Sequence, residues 1–260
     1  MFPNPLALGP LNITFYGLMV ALGVLAALAL FSLTAPQREI PPPQARDFCF
    51  WMILAGLLGS RLAFVIFHWS DFSSPVEFLA YWRGGLMFQG GVIGALAVSP
   101  IFIKRYNLKF WPTADVMAPS LALGQAFGRL GCLAAGCCYG RPVSGGNPLG
   151  LVFPPNSLAP AGIALWPVQV IESTLLFILA MGLTLAIRSQ KTIFRPAGRL
   201  AGLYLFGTGL IRLNMEIFLR GDYRGEAIIF GLPPTTLTAI GMAGAGLAVW
   251  LWKKPRYINL

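Results

Sequence analysis

Runs of about 20 residues with almost no charge recur along this chain, and each is long enough to cross a bilayer as a helix. Seven can be delimited, at residues 13–35, 48–69, 86–103, 115–136, 165–187, 199–219 and 235–252. Only 11% of the 260 residues are charged, against about 25% in an ordinary soluble domain. Lipid offers no partner to a bare N–H or C=O, so a spanning segment must be a helix or part of a closed barrel. The alternating strands of a barrel are absent from the sequence. The expectation is an all-α integral membrane protein, a polytopic bundle of seven transmembrane helices. The first span does not read as a cleaved signal peptide, because no basic residue precedes it and its apolar core is too long. Without a half-chain repeat or a low-complexity tail, residues 1–260 read as one domain.

Lys and Arg placement predicts the orientation. Arg38, Arg46, Lys104, Arg105, Lys109, Arg188, Lys191, Arg195, Arg199, Lys253, Lys254 and Arg256 all fall on one side, twelve of the nineteen basic residues. The other side holds Arg83, Arg141, Arg220 and Arg224, diluted by Asp71, Glu77, Asp222 and Glu226. The N-terminus is therefore expected outside and the C-terminus in the cytoplasm. The net charge of +10 then reflects this bias and attraction to anionic membrane lipids, and requires no nucleic acid. Segment 137–165, with Pro142, Pro148, Pro154, Pro155 and Pro160, predicts a small irregular outer cap, with Tyr139 and Phe153 as candidate contacts for a substrate peptide.

Three arginines lie within the spans: Arg61, Arg129 and Arg212. Charge at bilayer depth is costly and marks buried pairing or function. At 1.5 Å per residue, each lies about 20 Å from the inner surface, in the outer half of the membrane. Gln89, Glu172, Glu216 and Tyr16 reach the same layer, with Glu216 one turn beyond Arg212. Each arginine alone could be a structural staple. Together, three guanidiniums against two carboxylates leave positive charge for an anion. A forked guanidinium matches phosphate oxygens, and at this depth the available phosphate is that of a phospholipid.

The stretches "GLMFQGGVIGALA" and "GQAFGRLG" carry small residues at close-packing spacing, which reads first as helix contact and second as room for a ligand. Cys132, Cys137 and Cys138 form C-x4-C-C, not a usual zinc spacing, in a chain with one histidine, His68. Packing is the first reading of these thiols, a disulfide the second and a catalytic thiol the third. Cys49 reads as packing. No metal and no cofactor are expected.

The stretches "FYGLMVALG", "FQGGVIGALA", "GQAFGRLGCLAAGCCYGRP", "PVQVIES" and "GTGLIRLNMEIFLRGD" resemble, in this order, those of bacterial prolipoprotein diacylglyceryl transferases, and mark a divergent, cysteine-rich member. The resemblance implies a multi-pass enzyme of the bacterial inner (plasma) membrane. Such an enzyme moves a diacylglyceryl group from phosphatidylglycerol to the lipobox cysteine of a prolipoprotein signal peptide, forming a thioether and releasing glycerol phosphate. By resemblance, Arg129 is the signature arginine, Arg212 the second important arginine and Tyr16 the tyrosine of the first span. Gly90, Gly91 and Gly94 match a His-Gly-Gly-x-x-Gly motif, Gln169 and Glu172 a Pro-x-Gln-x-x-Glu stretch, and Glu216 an Arg-x-x-x-Glu pair. The chain departs from that pattern at Gln89, which replaces histidine, at Cys132, which replaces asparagine, and at Cys137, which replaces glutamate. Trp166, Thr208, Phe64 and His68 replace further histidine and tyrosine positions.

This chemistry needs a thiolate nucleophile and a stabilised phosphate leaving group. Arg129, Arg212 and Glu172 are the expected catalytic residues. Tyr16, Arg61, Gln89, Gly90, Gly91, Gly94, Gln169 and Glu216 are the expected substrate-binding residues. Gln89 cannot accept a proton, which leaves His68, Glu172 or the cationic field itself to generate the thiolate. Two alternatives stay open: the same lipid donor with another acceptor, and a lipid-binding protein without catalysis.

Overall fold

The computed structural model describes residues 6–8, 11–72, 74–79, 85–143, 148–189, 191–221 and 231–252. Among them are seven long α-helices: α1 (Phe15–Thr34), α2 (Pro42–Phe67), α3 (Phe88–Arg105), α4 (Phe110–Ala135), α5 (Val168–Arg188), α6 (Arg199–Asn214) and α7 (Pro234–Trp252). Each coincides with one of the apolar runs delimited in the sequence. Four helical stretches, Phe15–Arg38, Pro42–Phe67, Val168–Arg188 and Pro234–Trp252, are long and apolar enough to cross a membrane. The others are shorter or carry the polar groups that build the site.

Helix ends follow local chemistry. Thr14 caps α1, its hydroxyl oxygen accepting from Gly17 N–H at 3.1 Å. Pro42 and Pro234 open α2 and α7, where a missing N–H costs nothing. Gly136, at φ +69°, closes α4 in the left-handed conformation.

The bundle is built around α4, which packs against α1, α5 and α6, while α2 pairs with α3 and α6 with α7. Side chains such as Leu33, Phe50, Leu62, Ile93, Leu185 and Trp252 are exposed. So much outward apolar surface suits a lipid solvent. The α2–α3 pairing is close because it lacks side chains: a Cβ on Gly59 would lie 2.5 Å from Gly90 O. The glycines of "FQGGVIGALA" are therefore helix contacts, the first of their two readings.

At one end Asp115 of α4 organises the chain. Its carboxylate accepts from Gly198 N–H at 2.9 Å and Ala201 N–H at 3.0 Å, capping α6 from another helix. Arg38 pairs with it at 3.1 Å and donates to Phe194 O and Arg195 O. Arg199, also buried, lies over the Trp250 ring.

The α4–α5 connection covers the other end. Two short strands, Leu151–Val152 and Ala164–Leu165, pair antiparallel over a small cluster of Phe153, Ala159 and Leu165. Phe153 is buried there, so it does not face a substrate, whereas Leu149 and Leu158 are exposed. Arg141 N–H donates to Leu219 O at 2.8 Å and Gly221 N–H to Tyr139 O at 3.2 Å, which ties this cap to the end of α6.

Candidate active site

Next to the α4–α5 connection, α4, α5, α6 and the turn that follows α6 bring five charged side chains into a row. Arg129 of α4 and Arg212 of α6 both reach Oε1 of Glu172 on α5, at 3.0 and 3.1 Å. Arg212 also lies 3.4 Å from Glu216, and Glu216 pairs with Arg220 at 2.7 Å. The spacing Arg212, Glu216, Arg220 sets one residue per turn on a single face. After Asn214 the helix loosens into a π-helical turn, Met215–Leu219, with Arg220 N–H bonded to Met215 O. Such turns are frequent at functional sites.

In the sequence the three arginines set against two carboxylates are Arg61, Arg129 and Arg212. Three guanidiniums face two carboxylates, but the third is Arg220. Its signal, an arginine four residues beyond Glu216, is visible in the sequence, where Arg220 counts among the basic residues of the outer side. Arg61 has other work. It donates to Phe78 O, Glu77 O and Gly85 O at 2.8, 2.8 and 3.0 Å, and lies near the Phe64 and Phe72 rings. It thereby fastens the α2–α3 connection to α2.

Exposure sorts the row. The Arg129 and Arg212 side chains keep 16% and 21% of their surface open, whereas Glu172 keeps 5% and Arg220 3%. The first two can meet a ligand, and the others hold them. Gly128, beside Arg129, has open space where a side chain would project.

Gln169 is fully buried, and its Nε2 donates to Cys137 O at 2.8 Å. Gln169 Oε1 and Glu172 Oε2 are buried acceptors with no hydrogen-bond partner among the described residues. Tyr16 is half-exposed on α1 and packs by Gly131, within electrostatic reach of Arg129 and the three neighbouring cysteines. Gln89 is exposed in the first turn of α3, while Gly90, Gly91 and Gly94 face α2. His68 stacks on Phe64 and its Nδ1 lies 3.2 Å from Phe64 O.

The cysteines hold what spacing concealed. The Sγ atoms of Cys132, Cys137 and Cys138 lie within 4.8 Å of one another, at the end of α4. None of the four cysteines, all of them described, forms a disulfide.

A family model described as prolipoprotein diacylglyceryl transferase matches residues 3–252. A phosphatidylglycerol–prolipoprotein diacylglyceryl transferase of Clostridium tetani is 34% identical over 216 residues, covering 83% of this chain and 84% of that protein. One of the same name from Nostoc sp. is 32% identical over 266 residues, covering 98% and 91%. Another, from Acinetobacter baumannii, is 33% identical over 235 residues, covering 88% and 84%. With the charged row on α4, α5 and α6 and a match of this extent, the chain belongs to the prolipoprotein diacylglyceryl transferase family.

Proposed function

We propose that this chain transfers the diacylglyceryl group of phosphatidylglycerol to the thiol of a prolipoprotein lipobox cysteine. The observation that carries the reading is the sharing of Glu172 by two arginines that each keep an open face. Glu172 holds the guanidiniums together against their repulsion, and their free N–H groups grip the lipid phosphate. The acceptor sulfur attacks the glyceryl carbon that bears the phosphate. The thiol proton goes to solvent, a C–S bond forms, the bond from that carbon to the phosphate ester oxygen breaks, and its electron pair leaves with glycerol phosphate. Charge grows on the phosphate oxygen as the bond breaks, so fixed cations there lower the barrier. Arg129 and Arg212 touch that oxygen's phosphate, and Tyr16 and Gln89 contact the headgroup or acceptor. Gln169, Glu216 and Arg220 position.

The test is incubation of the purified protein with labelled phosphatidylglycerol and a lipobox peptide. Glycerol phosphate released only with peptide, together with a lipidated peptide, is the expected result. Release without peptide points to another acceptor or to hydrolysis. Lipid binding without release points to a protein that has kept the pocket and lost the chemistry.

The same reading makes this a seven-pass protein of the bacterial inner membrane, with its N-terminus outside and its C-terminus in the cytoplasm. The basic residues gathered around Asp115 support it, since they mark a cytoplasmic end. The cap then faces outward and admits the signal peptide from its side. Reporter fusions after Asn107 and Leu149 should report cytoplasm and periplasm respectively, and the reverse result refutes the orientation. Cross-linkers at Leu149 or Leu158 should capture a bound precursor. No adduct from either, in active protein, counts against side entry.

A further inference from the structure

Three thiols from one short segment converge on a point beside the charged row. Geometry explains how C-x4-C-C achieves this. Gly136 ends α4 in the left-handed conformation, so Cys137 N–H reaches back to Cys132 O at 3.1 Å. That turn lays Cys137 over Cys132. Cys138 is itself left-handed, at φ +59°, and its Sγ completes a triangle whose sides are all within 4.8 Å. Backbone in that region costs a non-glycine residue about 1–3 kcal/mol and tends to persist at functional sites.

Zinc bound through thiolates at about 2.3 Å in a tetrahedron sets its sulfurs about 3.8 Å apart. No pair of the three sulfurs lies more than about 1 Å beyond that spacing. A disulfide would use two of the thiols and leave the third aside, whereas a soft cation uses all three. Charge also matches. Three thiolates and one divalent ion sum to −1, and the row of three arginines and two carboxylates sums to +1. Arg129 precedes Cys132 by three residues, on the same face of α4. Gln169 supplies the outer support a metal ligand needs, holding the carbonyl of Cys137.

We infer that Cys132, Cys137 and Cys138 bind one zinc ion, whose open fourth position takes the acceptor cysteine thiol and holds it as a thiolate. The inference departs from the expectation, drawn from spacing, that the chain binds no metal. It rests on the transfer reaction proposed above, and it supplies the thiolate that reaction needs, since Gln89 cannot accept a proton, Glu172 is held by two arginines and His68 is stacked on Phe64. A thiol that coordinates zinc loses its proton, here to water at the outer end of the bundle. Catalytic zinc sites keep one position open, and this site offers three protein ligands. The bound sulfur then attacks the glyceryl carbon, and the phosphate leaves toward Arg129 and Arg212. The thioether that forms carries no negative charge, so it is a weak ligand and releases from the ion. No oxidant or reductant takes part.

The experiment uses the full chain purified in detergent under reducing conditions. Elemental analysis should give about one zinc per chain in the parent and in a Cys49→Ser control, and well below one in Cys137→Ser. Chelation should lower the transfer rate by more than about a hundredfold, about 2.7 kcal/mol of barrier, and added zinc should restore it. With cobalt in place of zinc, a lipobox peptide should shift the sulfur-to-metal charge-transfer band, and the same peptide with serine for cysteine should not. Metal-free parent that transfers at the full rate overturns the inference, as does a disulfide among the three cysteines. If the cobalt-loaded protein shifts its charge-transfer band with peptide, yet no glycerol phosphate is released in any sample, zinc-loaded protein included, the metal site stands and the transfer reading falls.

Discussion

Arg129 and Arg212, on different helices, close on the same oxygen of Glu172 at 3.0 and 3.1 Å. One carboxylate thus sets the separation of two cations that would otherwise repel, and leaves the outer face of each for a phosphate. Glu216 and Arg220 extend the row from this junction through Arg212.

Replacement of that carboxylate should be costly twice. Glu172→Gln leaves two adjacent guanidiniums short of a counter-charge, and removing one partner of a buried pair costs about 3–5 kcal/mol. The expected outcome is a lower thermal midpoint in detergent and a loss of transfer. Parental values of both would remove Glu172 from its central role.

Arg129→Lys should harm the reaction nearly as much as Arg129→Ala, each by about 10²–10³-fold. An ammonium cannot reach Glu172 and a phosphate with two prongs at once. Initial rates at matched folded protein decide this, and a lysine variant near the parental rate would show that charge alone suffices.

Arg220 and Arg212 should separate by phenotype. The Arg220 side chain is nearly closed off while Arg212 keeps an open face. Arg220→Ala is expected to lower stability first, by about 3–5 kcal/mol, because Glu216 loses its nearest partner. Arg212→Ala is expected to lower the rate with a smaller stability change. Thermal unfolding and turnover measured on both variants check the split, and identical profiles would contradict it.

Arg61 donates to three carbonyls of the α2–α3 connection. Arg61→Ala should therefore lower the melting midpoint while turnover per folded molecule stays within about threefold of the parent, a difference of about 0.7 kcal/mol. A large loss of rate at unchanged stability would return Arg61 to the phosphate site.

Gln89 is exposed, so Gln89→Leu should fold normally. Loss of one neutral hydrogen bond to substrate should raise KM by about two- to tenfold. If zinc generates the thiolate, Gln89→His gains nothing near neutral pH. An unchanged KM in the leucine variant would take Gln89 out of the site.

The helices were legible in the sequence because helix formation in lipid is a local requirement. An apolar run must satisfy its own backbone, whatever surrounds it. The same logic exposed Arg129 and Arg212 as expensive charges, and helical spacing put Glu216 beside Arg212. Glycine spacing announced the α2–α3 contact. Those readings need only neighbours along the chain.

Partnership across helices was decided by the tertiary structure. Arg61 and Arg212 have the same predicted depth, yet Arg61 meets carbonyls of the α2–α3 connection while Arg212 meets Glu172. Depth fixes a layer and says nothing of direction within it. Arg220 joined the row because α6 continues into a π-helical turn, which carries one more arginine inward than the apolar run implies. The three cysteines met because two left-handed residues fold the end of α4 back on itself. Spacing templates assume regular backbone, and a reversal of two residues is enough to turn an unpromising C-x4-C-C into a triangle of sulfurs.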